Sequence, residues 1–450
     1  NDGIQNGTET DVDCGGGAPT NAPKCATGKM CNDTSDCNNV LCNGGVCDPP
    51  TSTDGLKNGT ETDVDCGGAA PTNAPKCRNG KTCAATSDCL SRTCSGNKCI
   101  PASCGAGGTD GITTCGKGEV GAGGAVHESC CTQLDVPGSS VQMDKYKVTA
   151  GRMRKFVAAV SGNGRAWYTA NRANLPAATQ AQIDAFTAYL PDGINTYPYG
   201  TNYQLGGFIY LTNRPSTSQG CYVGNAGSQG YGSHTYDNGN TDGDARGFSV
   251  AFLDRLPLNC VDYPMAALFC AWDGGRLQTY PESQAAYGAS TYSDGVQAMV
   301  AATGVNPGGF RNVPSPDGPW TQVGPATAGF TQNPCPTCNV TWMNWSMNYQ
   351  NPNGGSATRP WDFAYFISPP GRFQSDYGPN GHMDVAGDMM ELTATQTSNE
   401  NAVDFDGNSV SEMRVRWSMA GSWEGHQVRA GYNFAVRTKY GKVGLRCVQD

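Results

Sequence analysis

The chain has little charge, few histidines and no long apolar run. Only 15% of its 450 residues are charged, and the lysines and arginines are dispersed without a basic stripe. With a net charge of −9, this composition argues against nucleic acid as a partner. The longest apolar stretch, Pro264 to Trp272, is about half of the ~20 residues that a bilayer-crossing helix requires, so no membrane span is expected. Histidine occurs only at His127, His234, His382 and His426, and the first hundred residues have none. Hydrophobic residues make up 38% while Gly alone contributes 61 positions. Much of a chain long enough for two or three domains is therefore loop.

Cysteine, by contrast, is abundant. Its 22 positions exceed what a reducing cytosol tolerates in a chain of this size. The sequence opens at Asn1 rather than Met, and the expectation is a mature secreted protein, extracellular or on the outer cell surface, whose signal peptide has been removed.

An internal repeat fills the first hundred residues: Asp2-Gly3 to Cys47 recurs as Asp54-Gly55 to Cys99. Cys14, Cys25, Cys31, Cys37, Cys42 and Cys47 map onto Cys66, Cys77, Cys83, Cys89, Cys94 and Cys99. Modules so poor in apolar material need three disulfides each, although six cysteines leave the pairing open. Zinc competes for such thiols, but the repeats lack His and Cys-x-x-Cys knuckles. Each repeat opens on an oxygen-rich run, Asp2, Asn6, Glu9, Asp11 and Asp13, then Asp54, Asn58, Glu61, Asp63 and Asp65. Such spacing suits calcium, with Asp11, Asp13, Asp63 and Asp65 as metal candidates. The Asn-Gly and Asp-Gly pairs are also ordinary turn formers.

The organisation expected is a Cys-rich module over 1–50, a second over 51–100, a Gly-rich stapled linker over 101–126 and one large domain over 127–450. In the linker, Cys104 and Cys115 close a small loop or reach Cys130 or Cys131. In the large domain, Thr149 caps a helix over Ala150 to Val160, a second covers Ala178 to Leu190, and a third starts at Pro264 and stops at Asp273-Gly274-Gly275. Thr279 with Glu282 forms a capping box for a short helix through Tyr287. Residues 300–380 read as long loops with short strands.

Four phrases in order carry a resemblance: Met143-Asp144-Lys145-Tyr146-Lys147-Val148-Thr149; Phe269-Cys270-Ala271-Trp272-Asp273-Gly274-Gly275-Arg276-Leu277; Asp384-Val385-Ala386-Gly387-Asp388-Met389-Met390-Glu391-Leu392; and Gly421-Ser422-Trp423 with Gly444-Leu445-Arg446-Cys447. Over about residues 130–450 the chain resembles the formylglycine-generating enzyme (sulfatase-modifying factor) domain. In detail it resembles secreted myxobacterial members, which often carry similar N-terminal Cys-rich repeats and the same Glu-Ser-Cys-Cys opening as Glu128 to Cys131. The resemblance implies an α+β, C-type-lectin-like formylglycine-generating-enzyme fold with long loops, here preceded by two small disulfide-rich modules. It also implies a disulfide between Cys270 and Cys447, with Cys221–Cys260 and Cys335–Cys338 as further guesses.

Departures from the family pattern set the functional expectation. After Gly-Ser-Trp the generating enzymes place two copper-binding cysteines, whereas this chain reads Glu424 to Tyr432 without one. Thiolates are the soft ligands that select Cu(I), so neither copper nor formylglycine formation is expected. Related sulfoxide synthases bind iron through histidines of an added helical domain that is missing here, so iron is not expected either. The family's calcium loop survives as Asp388 and Glu391, with Asp404 to Asn408 a weaker second candidate.

The surface before the terminal phrase offers Trp423, Glu424, His426, Arg429, Tyr432, Asn433 and Arg437, and the aromatic run Thr341 to Tyr349 extends it. Aromatic faces beside amides and charges suit a glycan or protein ligand, although they also fill cores. The function expected is a non-enzymatic, catalytically disarmed, lectin-like binding protein. One alternative is a fibre subunit that self-assembles head to tail. Another is a metal-dependent oxidoreductase using His382 and His426 with Asp384 or Glu424.

Overall fold

The six cysteines of each repeat close in the same order twice. In the computed structural model Cys14 pairs with Cys25, Cys31 with Cys42 and Cys37 with Cys47, and the second repeat copies this as Cys66–Cys77, Cys83–Cys94 and Cys89–Cys99. The structure describes residues 2–70, 72–105, 107–108, 110–117, 125–192, 203–204, 209–210, 235–236, 250–287, 314–315, 318–319, 369–371, 380–384, 389–403, 409–419, 429–435 and 443–450; for 203–204, 209–210, 314–315, 318–319, 396–403, 409–419 and 429–435 it describes the backbone alone. Two compact units emerge, Asn1–Ile100 and Pro101–Asp450.

Inside each repeat the cystines are the core, with Val40 the added apolar side chain in the first. A buried carboxylate organises the loops around them. Asp36, in the 3-10 turn Thr34–Asp36, accepts hydrogen bonds from the backbone N–H groups of Asn32 and Gly16, both at 2.8 Å. Asp88 repeats this with Ala84 at 2.8 Å and Gly68 at 3.1 Å. The Asn32 amide is the main reason that the Asp36 carboxyl lies below its ordinary pKa. The second Gly of each Cys-Gly-Gly is required sterically: Gly16 has φ +72°, and a Cβ there would lie 1.7 Å from the Thr8 carbonyl oxygen. Short hairpins, Cys42–Asn43 with Val46–Cys47 and Cys94–Ser95 with Lys98–Cys99, complete the modules.

The larger unit mixes helix and strand. The stretch expected as a linker is part of it: Cys115–Lys117 pairs antiparallel with Val126–Glu128, and disulfides join Cys104 to Cys131 and Cys115 to Cys130. The helices follow their sequence signals. Thr149 caps Ala150–Ala159 by accepting from the Arg152 N–H at 3.2 Å. Ala177–Ile183 continues as a 3-10 helix over Asp184–Tyr189. Tyr263–Trp272 carries Pro264 in its first turn and the Asp262 side chain as cap, and it ends where Gly274 adopts φ +95°. Thr279 and Glu282 exchange backbone-to-side-chain bonds ahead of Tyr280–Tyr287. Two further described helices, Gly164–Asn171, capped by the Asn163 side chain, and Val250–Asp254, were not expected from the sequence.

One four-stranded sheet orders its strands as Arg276–Leu277, Cys447–Gln449, Gln142–Asp144 and Gln133–Asp135. The strand Cys447–Gln449 is thus internal to this sheet, between the mid-chain strand Arg276–Leu277 and the earlier Gln142–Asp144. A second sheet runs Arg429–Ala435, Ser409–Met419, Met390–Val403 and Val443–Gly444, antiparallel except for its last pair. The Tyr263–Trp272 helix forms the centre of the core, buried from Tyr263 through Ala271. Phe156 meets Phe269 edge-on at 5.9 Å and Trp272 at 5.2 Å. Full burial of such a ring contributes about 1.5–3 kcal/mol.

Candidate functional site

Residues from the first three sequence phrases, and Arg446 from the described part of the fourth, converge on one buried polar cluster, while Gly421 to Trp423 lie outside the described residues. Arg152, in the first turn of its helix, shares the Met153 and Phe156 side of the segment and is fully buried. Its guanidinium donates to Asp144 Oδ2 at 2.9 Å, Asp273 Oδ2 at 2.6 Å, Ser103 Oγ at 2.9 Å and the Cys130 carbonyl at 3.2 Å. Arg446 donates to Glu391 Oε1 at 2.8 Å, to the Asp144 carbonyl at 3.2 Å, and to the carbonyls of Lys145 and Met383. Lys147 Nζ lies 3.4 Å from the same Glu391 oxygen and donates to the Asp384 carbonyl. Gln278 Nε2 takes the other Glu391 oxygen at 2.9 Å. Beside the cluster, the expected Cys270–Cys447 disulfide is present.

Two carboxylates share one guanidinium in the first half of this cluster. Burial, reinforced by Asp273, raises the Asp144 pKa against the pull of Arg152. Burial also works against the Arg152 charge, but Asp144 and Asp273 outweigh it and keep the guanidinium protonated. These groups hold fixed partners away from water, an arrangement that locks segments together.

His382 is buried in the same region. Neither of its ring nitrogens has a hydrogen-bond partner among the described residues. Burial, then the charge of Arg446, pushes its pKa down to about 3. The unfolded chain takes up this proton near pH 6.5, so between pH 6.5 and about 3 the unfolded state binds more protons than the folded one. Stability from this group is complete above pH 6.5 and is lost as pH falls, at up to about 1.4 kcal/mol per pH unit. Guanidinium unfolding at several pH values across that window should show this slope in the natural protein and its reduction in His382→Leu. Equal slopes in both would refute the assignment.

The metal candidates divide. Both oxygens of Glu391 are engaged by Arg446, Lys147 and Gln278, while Asp388 and Asp404 to Asn408 lie outside the described residues. Asp11 accepts from the Met30 N–H at 2.8 Å and pairs with Lys29 at 3.1 Å. Asp63 does the same with Thr82 at 2.6 Å and Lys81 at 3.5 Å. Asp13 and Asp65 each receive the N–H of the Gly in the opening Asp-Gly, Gly3 at 2.9 Å and Gly55 at 3.0 Å. Among the described residues, the trios of acidic, His or Cys donors close enough to share an ion are Cys31, Cys37 and Cys42, and Cys83, Cys89 and Cys94. All six are tied in disulfides.

Of the expected ligand face, Arg429, Tyr432 and Asn433 lie on the outer strand of the second sheet, with Tyr432 opposite Trp417 and Asn433 opposite Arg416. Trp423, Glu424, His426, Arg437 and the run 341–349 lie outside the described residues, as do Cys221, Cys335 and Cys338. Cys260 is disulfide-bonded. The sequence reading missed Arg152 and Gln278 as members of the buried cluster. For Arg152 the available signal was a cation beside Met153 at the start of an amphipathic helix.

No family model matches the chain, and no curated protein matches it. Among solved structures it is similar to PvdO from Pseudomonas aeruginosa, with 14% sequence identity and a TM-score of 0.31, covering 71% of this chain and 90% of that one. A likeness so slight carries no inference about family or activity.

Proposed function

We propose that this protein is a secreted or cell-surface binding protein with two disulfide-rich modules and a larger, lectin-like unit related to the formylglycine-generating enzymes. That unit takes a glycan or protein ligand and does no chemistry. The observation that carries the reading lies in the terminal segment. Its frame is anchored by Cys270–Cys447 and Arg446–Glu391, yet residues 424–432 hold none of the thiols a copper site needs. Among the described residues the strand bearing Tyr432 and Asn433 is the outer strand of its sheet, and an outer strand is a position to which a partner can add. The disulfides fit an oxidising compartment. Among the described residues no helix is long and apolar enough to cross a membrane.

The test is a glycan and protein-ligand array probed with the full chain. The expected result is a signal removed by soluble competitor, with affinity at least about tenfold weaker in Tyr432→Ala, the scale of an aromatic hot spot. Absence of any competable signal would overturn the reading. Stoichiometric iron or copper in the purified protein would favour the oxidoreductase instead, and filaments in electron micrographs would favour the fibre.

A further inference from the structure

In the second repeat, two hard oxygen donors are buried without partners. Asn58 and Glu61 are each only 7% exposed. They face each other across one turn, in which the Glu61 N–H donates to the Asn58 carbonyl at 3.1 Å and the Asn58 N–H donates to Glu61 Oε2 at 3.3 Å. The other oxygen of each side chain, Asn58 Oδ1 and Glu61 Oε1, has no hydrogen-bond partner among the described residues. A buried carboxylate oxygen left uncompensated carries a large desolvation penalty, and a cation is the most direct remedy. Asp54 adjoins the pair: its Oδ2 accepts from Asn58 Nδ2 at 3.0 Å and from the Thr51 N–H at 3.1 Å, and its Oδ1 accepts one bond, from the Leu56 N–H at 2.9 Å, so Oδ1 is the oxygen with capacity left for a cation.

The neighbouring acids are arranged differently. Lys81 and the Thr82 amide take up Asp63. Among the described residues no Lys or Arg forms an ion pair with Asp54 or Glu61. Two carboxylates and an amide oxygen, with no nitrogen or sulfur donor, suit a hard ion. Their irregular placement around a turn favours calcium over magnesium, which demands near-octahedral geometry.

The first repeat builds the same frame, with Asn6 Nδ2 on Asp2 Oδ2 at 2.8 Å and the Asn6 N–H on Glu9 Oε2 at 3.2 Å, but there Asn6 is exposed. What differs in the second repeat is a cover supplied by the first. Asn39 Nδ2 donates to the Lys57 carbonyl at 2.6 Å, and Pro50 packs so closely over Gly59 that an added Cβ would meet its ring at 3.0 Å. The Asn58 and Glu61 side chains are therefore buried in the second copy of the loop, whereas Asn6 is exposed and Glu9 half-buried in the first.

We propose that the second repeat binds a calcium ion through Glu61 Oε1 and Asn58 Oδ1, with Asp54 as the second carboxylate. Asp65 acts as a positioning residue by holding the Gly55 amide. This site stands apart from the ligand-binding reading of the larger unit. With two carboxylates, its affinity belongs in the range of extracellular modules, a Kd of about 0.1–1 mM.

The experiment is calorimetric titration of CaCl2 into the full chain after chelator treatment and dialysis, using the natural protein, Glu61→Gln and Asp63→Asn. Loss of a carboxylate ligand in Glu61→Gln should weaken one binding event at least about tenfold, while Asp63→Asn should leave it unchanged. Hydrogen exchange supplies a second readout on the unmodified protein: amides of residues 54–65 should slow with CaCl2 and not with equimolar MgCl2. Natural affinity in Glu61→Gln, equal weakening in Asp63→Asn, or unchanged exchange with CaCl2 would each overturn the site in favour of a water-filled turn.

Discussion

Arg152→Met is expected to destabilise the larger unit by about 3–5 kcal/mol, the range for removing one partner of a buried ion pair. The reason is what remains behind. Asp144 and Asp273 keep their buried positions but lose the guanidinium that both touch, while Ser103 Oγ and the Cys130 carbonyl lose a donor. Burial, reinforced by Asp273, already pushes Asp144 upward with Arg152 present, so removing the guanidinium pushes it further toward its neutral form. Arg152→Lys keeps the charge but not the fork that reaches both acids, and should fall between the two. Replacing Asp144, Arg152 and Asp273 together by apolar residues should recover part of the loss, because no unpaired charge is then left inside. Guanidinium unfolding followed by near-ultraviolet circular dichroism checks all three variants. A natural midpoint in Arg152→Met would refute the role assigned to the cluster.

The contrast between what was readable and what was not follows from the range of each interaction. Helix starts were legible at Thr149, Pro264 and Thr279 to Glu282 because caps and first-turn preferences act within three or four residues, whereas the Asp262 cap emerged only from the structure. The repeats were legible because their cysteines recur in step, and the bonds among them were not, since six thiols at similar spacing carry no pairing code. Arg152 reads as a surface cation; its burial depends on Asp273, 121 residues away. The long pairing of Met390–Val403 with Ser409–Met419 left a signal that went unread: Met390, Leu392 and Ala394 alternate with polar residues, as do Met413, Val415, Trp417 and Met419, while residues 395–401 between them carry no apolar side chain to extend the pattern. In the oxygen-rich loops the sequence drew notice to Asp63 and Asp65. Geometry gives the orphaned oxygens to Asn58 and Glu61 instead, because Lys81 and the Thr82 amide take up Asp63 and the Gly55 amide takes up Asp65.

Replacing Cys270 and Cys447 together by alanine is the second change expected to have a large effect, about 3–5 kcal/mol. Their bridge spans a sequence separation of 177, and chain-entropy stabilisation grows with the loop closed, although slowly. The packing argument runs in the same direction. Cys447 begins the last strand, which lies between Arg276–Leu277 and Gln142–Asp144, and Arg446 beside it neutralises Glu391. Loosening this strand therefore opens a sheet and uncovers a buried carboxylate at once, so the midpoint should fall and the transition should broaden if the sheet releases before the helices. The strand pairing of Val443–Gly444 with Met390 and Glu391 ties the same terminus to the sheet that presents Arg429–Ala435. Loss of the pin should therefore also weaken binding by the proposed face at temperatures where the protein remains folded. An unfolding midpoint and a ligand affinity both equal to those of the natural protein would show that the terminal strand is held by its hydrogen bonds and ion pair alone.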